Sequence, residues 1–410
     1  MNKEESATRC ERHVIRPTNP HYELLRNFCH EAKNLYNHAN YLIRQELFVN
    51  KQWLRYDKLD KTLKKDVEYP DYRAVPTASS AQQLLRTLDN IWKGFFASCK
   101  DFKQHPNKYA GRPRPPRYKA KDGFFELTMT YRDCRVKEGV LHFPKRFAGF
   151  TLKLANDVEK VQTVKVIPQP TCLIIIVTYK TATSQLKSDN GRYLGIDLGI
   201  DNFATVVNNQ CVKPLVVNGR GLKSMNRYFN IRLAWLQSLA KRSNGRYMTR
   251  RIARLYQKRA FKIDDFMHKA SRLVVNLAKE LDISKIVVGY NEGWKQKANL
   301  GRKVNQKFVQ IPFQSFVNKL AYKAADAGIE VILHEESFTS GTSVLDGELP
   351  TREFYDKSRR VKRGLFRSNS GTLINADVNA AYQIIRKVFP NEFSEGVSGV
   401  ALHPVRRNVA

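Results

Sequence analysis

Apolar positions change their period several times along this chain, and each change marks a change of element. Ala7 to Arg16 alternates and reads as one strand, stopped at Pro17. From His21 to Phe48 the period becomes helical, with Leu24, Phe28, Ala32, Leu35, Tyr36 and Ala39 on one face. Trp53, Leu54, Leu59 and Leu63 mark a second helical patch. Pro76-Thr77-Ala78-Ser79-Ser80 is a helix start leading through Leu84, Leu88, Ile91, Trp92, Phe95 and Phe96. Between Phe124 and Ala182 the period returns to two, at Phe125-Leu127-Met129, Val136-Val140, Leu141-Phe143, Val161-Val164-Val166 and Ile174-Ile176-Thr178. With the first strand, these segments predict a small β-barrel (1–19 and 122–183) holding an inserted helical block (20–121).

After a polar stretch from Ser184 to Arg192, short strands are predicted at Tyr193 to Ile196, Phe203 to Val207 and Pro214 to Val217. Long helical segments follow, around Leu222 to Leu239 and Tyr247 to Leu281. Ile286 to Val288 reads as a buried strand, Pro312 to Ala327 as a helix, Glu330 to Leu333 as a strand and Ala376 to Val388 as a closing helix. This β-β-β-α-β-α-β-α order is that of an RNase H-like α/β fold. The fold class is therefore α+β and multidomain. The α/β domain spans 193–337 and 373–390, with an insertion at 338–372 and a tail at 391–410. No internal repeat is visible.

Charge narrows the function. Lys and Arg number 71 against 38 Asp and Glu, a net +33 over 410 residues. A merely solvated surface mixes both signs, whereas this excess attracts polyanions and releases their counterions. Six cysteines (Cys10, Cys29, Cys99, Cys134, Cys172 and Cys211) form no CxxC pair, which argues against a disulfide framework and a zinc knuckle. The apolar run Cys172 to Val177 is too short to span a membrane, and Met1 to Glu5 is too polar for a signal peptide. A cytoplasmic, nucleoid-associated prokaryotic protein with no membrane partner is expected. From Lys100 to Lys121, Arg112, Arg114, Arg117 and Lys119 interleave with prolines and Tyr118. That pattern is either a solvated linker or an arm that tracks phosphates and stacks a base.

Two carboxylates carry the candidate chemistry. Asp197 lies in Tyr193-Leu194-Gly195-Ile196-Asp197-Leu198-Gly199, and Asp377 lies in Asn375-Ala376-Asp377-Val378-Asn379-Ala380-Ala381, 180 residues later. An RNase H-like fold lays the last helix across the first strand, so the two converge. Two Mg²⁺ ions, with Mn²⁺ able to substitute, need further carboxylate oxygens. The position just after the apolar triplet of the fourth strand is Gly289. Glu292 stands three residues on, about 10 Å along an extended chain. Glu336, at the end of the next strand, is only about 4.8 Å across, and Gly289 leaves it room. Glu336 is preferred as third ligand, then Glu292, then Glu335. Each of these carboxylates is equally a turn, helix-start or surface acid when taken alone.

These motifs resemble the RuvC-type nuclease core of the TnpB family, transposon-encoded relatives of compact type V CRISPR effectors. His268-Lys269-Ala270-Ser271, Pro115-Pro116-Arg117-Tyr118-Lys119 and Phe338-Thr339-Ser340 resemble further signatures, so the likeness runs along essentially the whole chain. Glu336-Ser337-Phe338-Thr339-Ser340 resembles the Glu-x-x-Thr-Ser context in which some branches and their Fanzor relatives carry the acid. The resemblance implies a Mg²⁺-dependent, RNA-guided DNA endonuclease with catalytic and metal-binding Asp197, Glu336 and Asp377. Its partners are a guide RNA and double-stranded target DNA carrying a short adjacent motif, with one protein monomer per RNA. The barrel becomes the wedge domain, and the helical block the recognition domain. Most relatives hold a four-cysteine zinc ribbon after Thr339. Here no cysteine follows Cys211, and Arg359, Arg360 and Arg363 stand there instead. The expectation is a zinc-free basic lid, ordered by Phe354, Tyr355, Leu365 and Phe366. Further nucleic-acid contacts are expected at Arg250 and Arg254, with Arg246, Arg251 and Arg259 beside them. The alternatives are a cleavage-dead, RNA-guided DNA-binding repressor, motivated by Gly289, and a transposase that joins ends.

Overall fold

Ser6–Ile15 forms β1, and the helices Tyr22–Val49 (α1), Tyr56–Lys65 (α2), Asp71–Ala74 (α3) and Ala78–Gln104 (α4) follow it in the computed structural model. That structure describes residues 6–155, 157–245, 247–291, 310–394, 397 and 402–409. The chain divides into two units, residues 1–182 and 183–410.

In the first unit, α1 buries Leu25, Cys29, Ala32, Leu35, Tyr36, Ala39 and Ile43 at helical spacing. Thr77 caps α4 by accepting the Ser80 N–H at 3.0 Å, the role its place in the sequence predicts. The fully buried Trp92 of α4 donates its indole N–H to Asn40 of α1 at 3.1 Å, so the apolar ring leaves no donor unmet. Among the described residues, seven strands complete the unit when β1 is counted: β2 (Leu127–Thr130), β3 (Arg135–Lys137), β4 (Val140–His142), β5 (Thr151–Lys153), β6 (Val161–Pro168) and β7 (Leu173–Ala182). Hydrogen bonding joins them as a four-stranded sheet, β1-β7-β6-β2, and a three-stranded sheet, β3-β4-β5. Their inward residues share one core with the helices. The β5 strand is too short to show a period, with Leu152 its one buried residue.

The proline-rich arm is not a loose linker. Donors from successive turns of α1 take its carbonyls: Asn40 and Arg44 bond Pro116 O at 3.1 and 2.9 Å, Asn37 bonds Lys119 O at 3.0 Å, and Lys33 bonds Lys121 O at 2.7 Å. Asn37 also accepts the Lys119 N–H at 2.8 Å. Proline keeps the arm extended, and an extended chain exposes the carbonyls that one polar face of α1 satisfies.

In the second unit, β8 (Tyr193–Leu198), β9 (Asn202–Asn208), β10 (Leu215–Asn218), β11 (Lys285–Gly289), β12 (Glu330–His334) and β15 (Val405–Arg407) form one sheet, ordered β12-β11-β8-β9-β10-β15. The short strands β13 (Leu365–Arg367) and β14 (Leu373–Asn375) form a separate hairpin. The helices are α5 (Arg220–Asn244), α6 (Arg250–Glu280), α7 (Phe313–Ala325) and α8 (Ala376–Val388). Strand alternation sends Leu194 and Ile196 to one face, packed with Phe266 and Met267 of α6 and Phe316 of α7. It sends Tyr193, Gly195 and Asp197 to the other, where α8 lies. The tail segment Val405–Arg407 pairs in parallel with β10.

The insertion at 338–372 is held differently from the expectation. Phe366 is fully buried with Val344, but Phe354 and Tyr355 remain exposed. A knot of charge does the ordering: Arg359 donates to both oxygens of Glu348 at 2.9 and 2.7 Å, with Asp346 at 3.5 Å. Among the described residues no helix is long and apolar enough to cross a membrane.

Candidate active site

Convergence of the two aspartates begins with a glycine. A Cβ at Gly195 would stand 2.5 Å from the Ala381 carbonyl oxygen and 2.7 Å from Ile385, so only glycine lets α8 lie this close on β8. That approach brings the first turn of α8 to the end of β8. Asn375 caps the turn, accepting the backbone N–H groups of Asp377 and Val378 at 3.0 and 3.1 Å. Asp377 is steered in turn by Asn202 of β9, which donates to its Oδ2 at 2.6 Å.

Glu336 reaches the same place from the neighbouring strand. In the parallel pair β11–β12, Gly289 faces His334, two residues before Glu336. A Cβ on Gly289 would stand 3.2 Å from Glu336 Oε2 and 2.5 Å from Ile384. The missing side chain is the space the carboxylate uses. Asn291 clamps it reciprocally, donating its amide to Oε1 at 3.1 Å and accepting the Glu336 N–H at 3.1 Å. Phe338 adopts φ +65°, a left-handed turn that carries the chain away after the carboxylate.

The electrostatics follow from this crowding. Burial, then the Asp377 and Glu336 charges, push Asp197 well above the usual carboxylate range, with Arg360 opposing. Burial pushes Glu336 up to about 7; Lys387 opposes it and Glu335 adds to it. Arg360 stands 3.5 Å from Asp377 Oδ1. As they stand, no three acidic, histidine or cysteine side chains among the described residues are grouped as a ligand set for a metal ion. The donor set nonetheless fits a hard divalent cation: carboxylate oxygens from three elements, with burial still holding two of them above the ordinary carboxylate range.

The other expected residues divide. Glu335 is exposed, and Glu292 lies outside the described residues. Arg359, one of the expected nucleic-acid contacts, has a largely buried guanidinium that is paired with Glu348 and Asp346. Arg259 is likewise turned inward, onto Asn226 at 2.8 Å and the Gln310 carbonyl at 3.0 Å. Arg363 bridges to Asp201 at 3.0 Å yet stays exposed, and Asp201 also holds Lys223 at 2.6 Å. Arg250 and Arg254 are exposed on α6, whereas Arg246 lies outside the described residues. In the first unit Arg112, Arg114, Arg117, Tyr118 and Lys119 are exposed, with the Arg44 guanidinium 5.0 Å from the Tyr118 ring centre. Asn202, Asn291 and Asp201 have no sequence signal, because an isolated amide or acid beside a strand end has no period to betray it.

Two family matches fall on this unit and the end of the preceding strand. Residues 176–295 match OrfB_IS605, described as a probable transposase, and residues 313–384 match the Cas12f1-like TNB domain. No curated protein matches the chain. Among solved structures, a Cas12f1–sgRNA–target DNA complex is similar at 15% identity, covering 88% of this chain and 82% of the other with a TM-score of 0.52, which is a likeness of fold. A CRISPR-Cas12f ternary complex aligns at 15% identity over 88% and 80%, with a TM-score of 0.39.

Proposed function

We propose that this chain, whose two matched segments fit the TnpB family, is an RNA-guided DNA endonuclease that cuts by Mg²⁺-dependent hydrolysis at Asp197, Glu336 and Asp377. The observation that supports this most is the Glu336 carboxylate lying where Gly289 has no side chain, beside the two aspartates. Asp197 and Asp377 are fixed by the β8–α8 contact, and Glu336 by Asn291. Asp197, Glu336 and Asp377 would hold two Mg²⁺ ions, whose positive charge would ease loss of a proton from the attacking water and departure of the leaving oxygen. Asn202 and Asn291 keep the oxygens aimed inward. Arg360 brings a guanidinium to the side where a scissile phosphate would add negative charge. The exposed cations of the arm and of α6 would hold guide RNA and target DNA.

Protein co-purified with its own RNA, offered a plasmid target library in Mg²⁺ or EDTA, tests the reading. Asp197→Ala, Glu336→Ala and Asp377→Ala should each cut below about one-thousandth of the wild-type rate (~4 kcal/mol), with target binding kept. Glu292→Ala should still cut. Loss in Glu292→Ala instead would refute Glu336 as third ligand. A wild type that binds its guided target and never cuts would be the DNA-binding repressor.

A further inference from the structure

Helix α5 carries two apolar faces, and among the described residues only one is packed. Phe229, Leu236 and Ala240 turn inward, the last two against Ile252 of α6. Tyr228, Ile231, Trp235 and Leu239 are 62, 62, 44 and 40% exposed. Their spacing of three, four and four residues puts them in one line along the helix, about 16 Å long. Four large apolar side chains in a row are not the scattered exposures of an ordinary surface.

The charge beside the stripe says what it meets. From Arg220 to Ile263 there are thirteen lysines and arginines and no acidic residue. Arg220, Arg227, Lys241 and Arg242 are exposed on the same helix, and Arg250 and Arg254 on the paired one. The Arg232 guanidinium lies 4.1 Å from the Trp235 ring centre. A second copy of so basic a hairpin would be repelled, and an ordinary apolar protein partner would leave the cations unpaired. Unpaired nucleic acid satisfies both features, its bases lying on the rings and aliphatic side chains and its phosphates on the cations of the two helices.

We propose that the outer face of α5 is a docking surface for an unpaired stretch of RNA, about five nucleotides long at the rise of stacked bases. The occupant is RNA rather than target DNA because a bare stripe of this kind favours aggregation, so its cover must be present before a target arrives. The inference rests on the guided-nuclease reading only for which RNA that is.

The test uses the full chain and two labelled probes of equal charge, an oligouridylate and a blunt RNA duplex, with an oligothymidylate as a third arm. Tyr228→Ser/Trp235→Ser removes the rings and Tyr228→Phe/Trp235→Phe keeps them, with Tm checking that both variants fold. Removing the rings should weaken oligouridylate binding at least about tenfold. Duplex affinity and the slope of affinity against salt should stay unchanged, and the ring-keeping variant should bind as the wild type does. Unchanged oligouridylate affinity, equal loss on the duplex, a larger loss on oligothymidylate, or a molar mass by light scattering that halves on ring removal would each overturn the proposal. Guided cutting is assayed in parallel. A wild type that cuts while the stripe variants bind normally sinks this inference alone. One that never cuts yet binds oligouridylate through the stripe sinks the nuclease reading alone.

Discussion

Gly289 and Glu336 exchange places between two strands. With an acid at the end of β11, the carboxylate would rise from the strand itself. Here β11 contributes a gap, and β12 fills it from one strand away. Gly289→Ala puts a methyl 2.5 Å from Ile384 and 3.2 Å from the Glu336 carboxylate. We expect a loss of about 1–3 kcal/mol in stability from overpacking, seen by denaturant titration, and slower cutting than that loss explains. Crowded acids also leave a mark on stability. Glu336 sits at about 7 when folded, against an ordinary 4.5. A folded value above the unfolded one stabilises fully below about 4.5, and that contribution is lost as pH rises through about 7. In EDTA, Tm should therefore fall between pH 5 and pH 8, by about 2–4 °C for each kcal/mol lost. Glu336→Gln should flatten that fall, and Mg²⁺ should reduce it in the wild type. A Tm profile unchanged by the substitution would mean that Glu336 is not the group responsible.

At the scale of elements, the insertion shows how two adjacent arginines part company. Arg359 is the internal tie of the insertion, and Arg360 faces the carboxylates. Arg359→Ala leaves Glu348 and Asp346 without their cation. It should cost about 3–5 kcal/mol, as broken buried pairs do, and open residues 352–363 to limited proteolysis. Arg360→Ala should leave the protease pattern alone and affect cutting. If both variants digest alike, the division of labour is wrong. From Lys357 to Arg367 the sequence shows six basic residues and no period, so it cannot say which one points inward. It does reveal elements whose chemistry is local: the Thr77 and Asn375 caps, the helical face of α1 and the strand alternation around Asp197.

For the whole molecule, most of the second unit's architecture was legible because its strands and helices are long enough to show their period. The closeness of Glu336 to Gly289 could be anticipated from strand spacing. The supporting amides could not, since Asn202 and Asn291 owe their roles to register between strands distant in sequence. The arm was ambiguous for a related reason: its order comes from donors on α1, some 75 residues earlier. The short edge strand β15 had no period at all.

That edge strand has a consequence for the behaviour of the protein in solution. Val405–Arg407 pairs with Leu215–Val217, and Val405 donates to the Pro214 carbonyl at 2.7 Å, so the backbone groups of β10 on that side already have a partner. Deleting 404–409, which spares Leu402 and its contacts with α8, would leave an apolar strand rim, Leu215-Val216-Val217, ready to accept a strand from another molecule. The shortened chain should keep its α8 contacts and its three carboxylates yet self-associate with rising concentration, as sedimentation velocity would reveal. Three residues of arginine-rich ribbon would then be what keeps so basic a protein from gathering copies of itself.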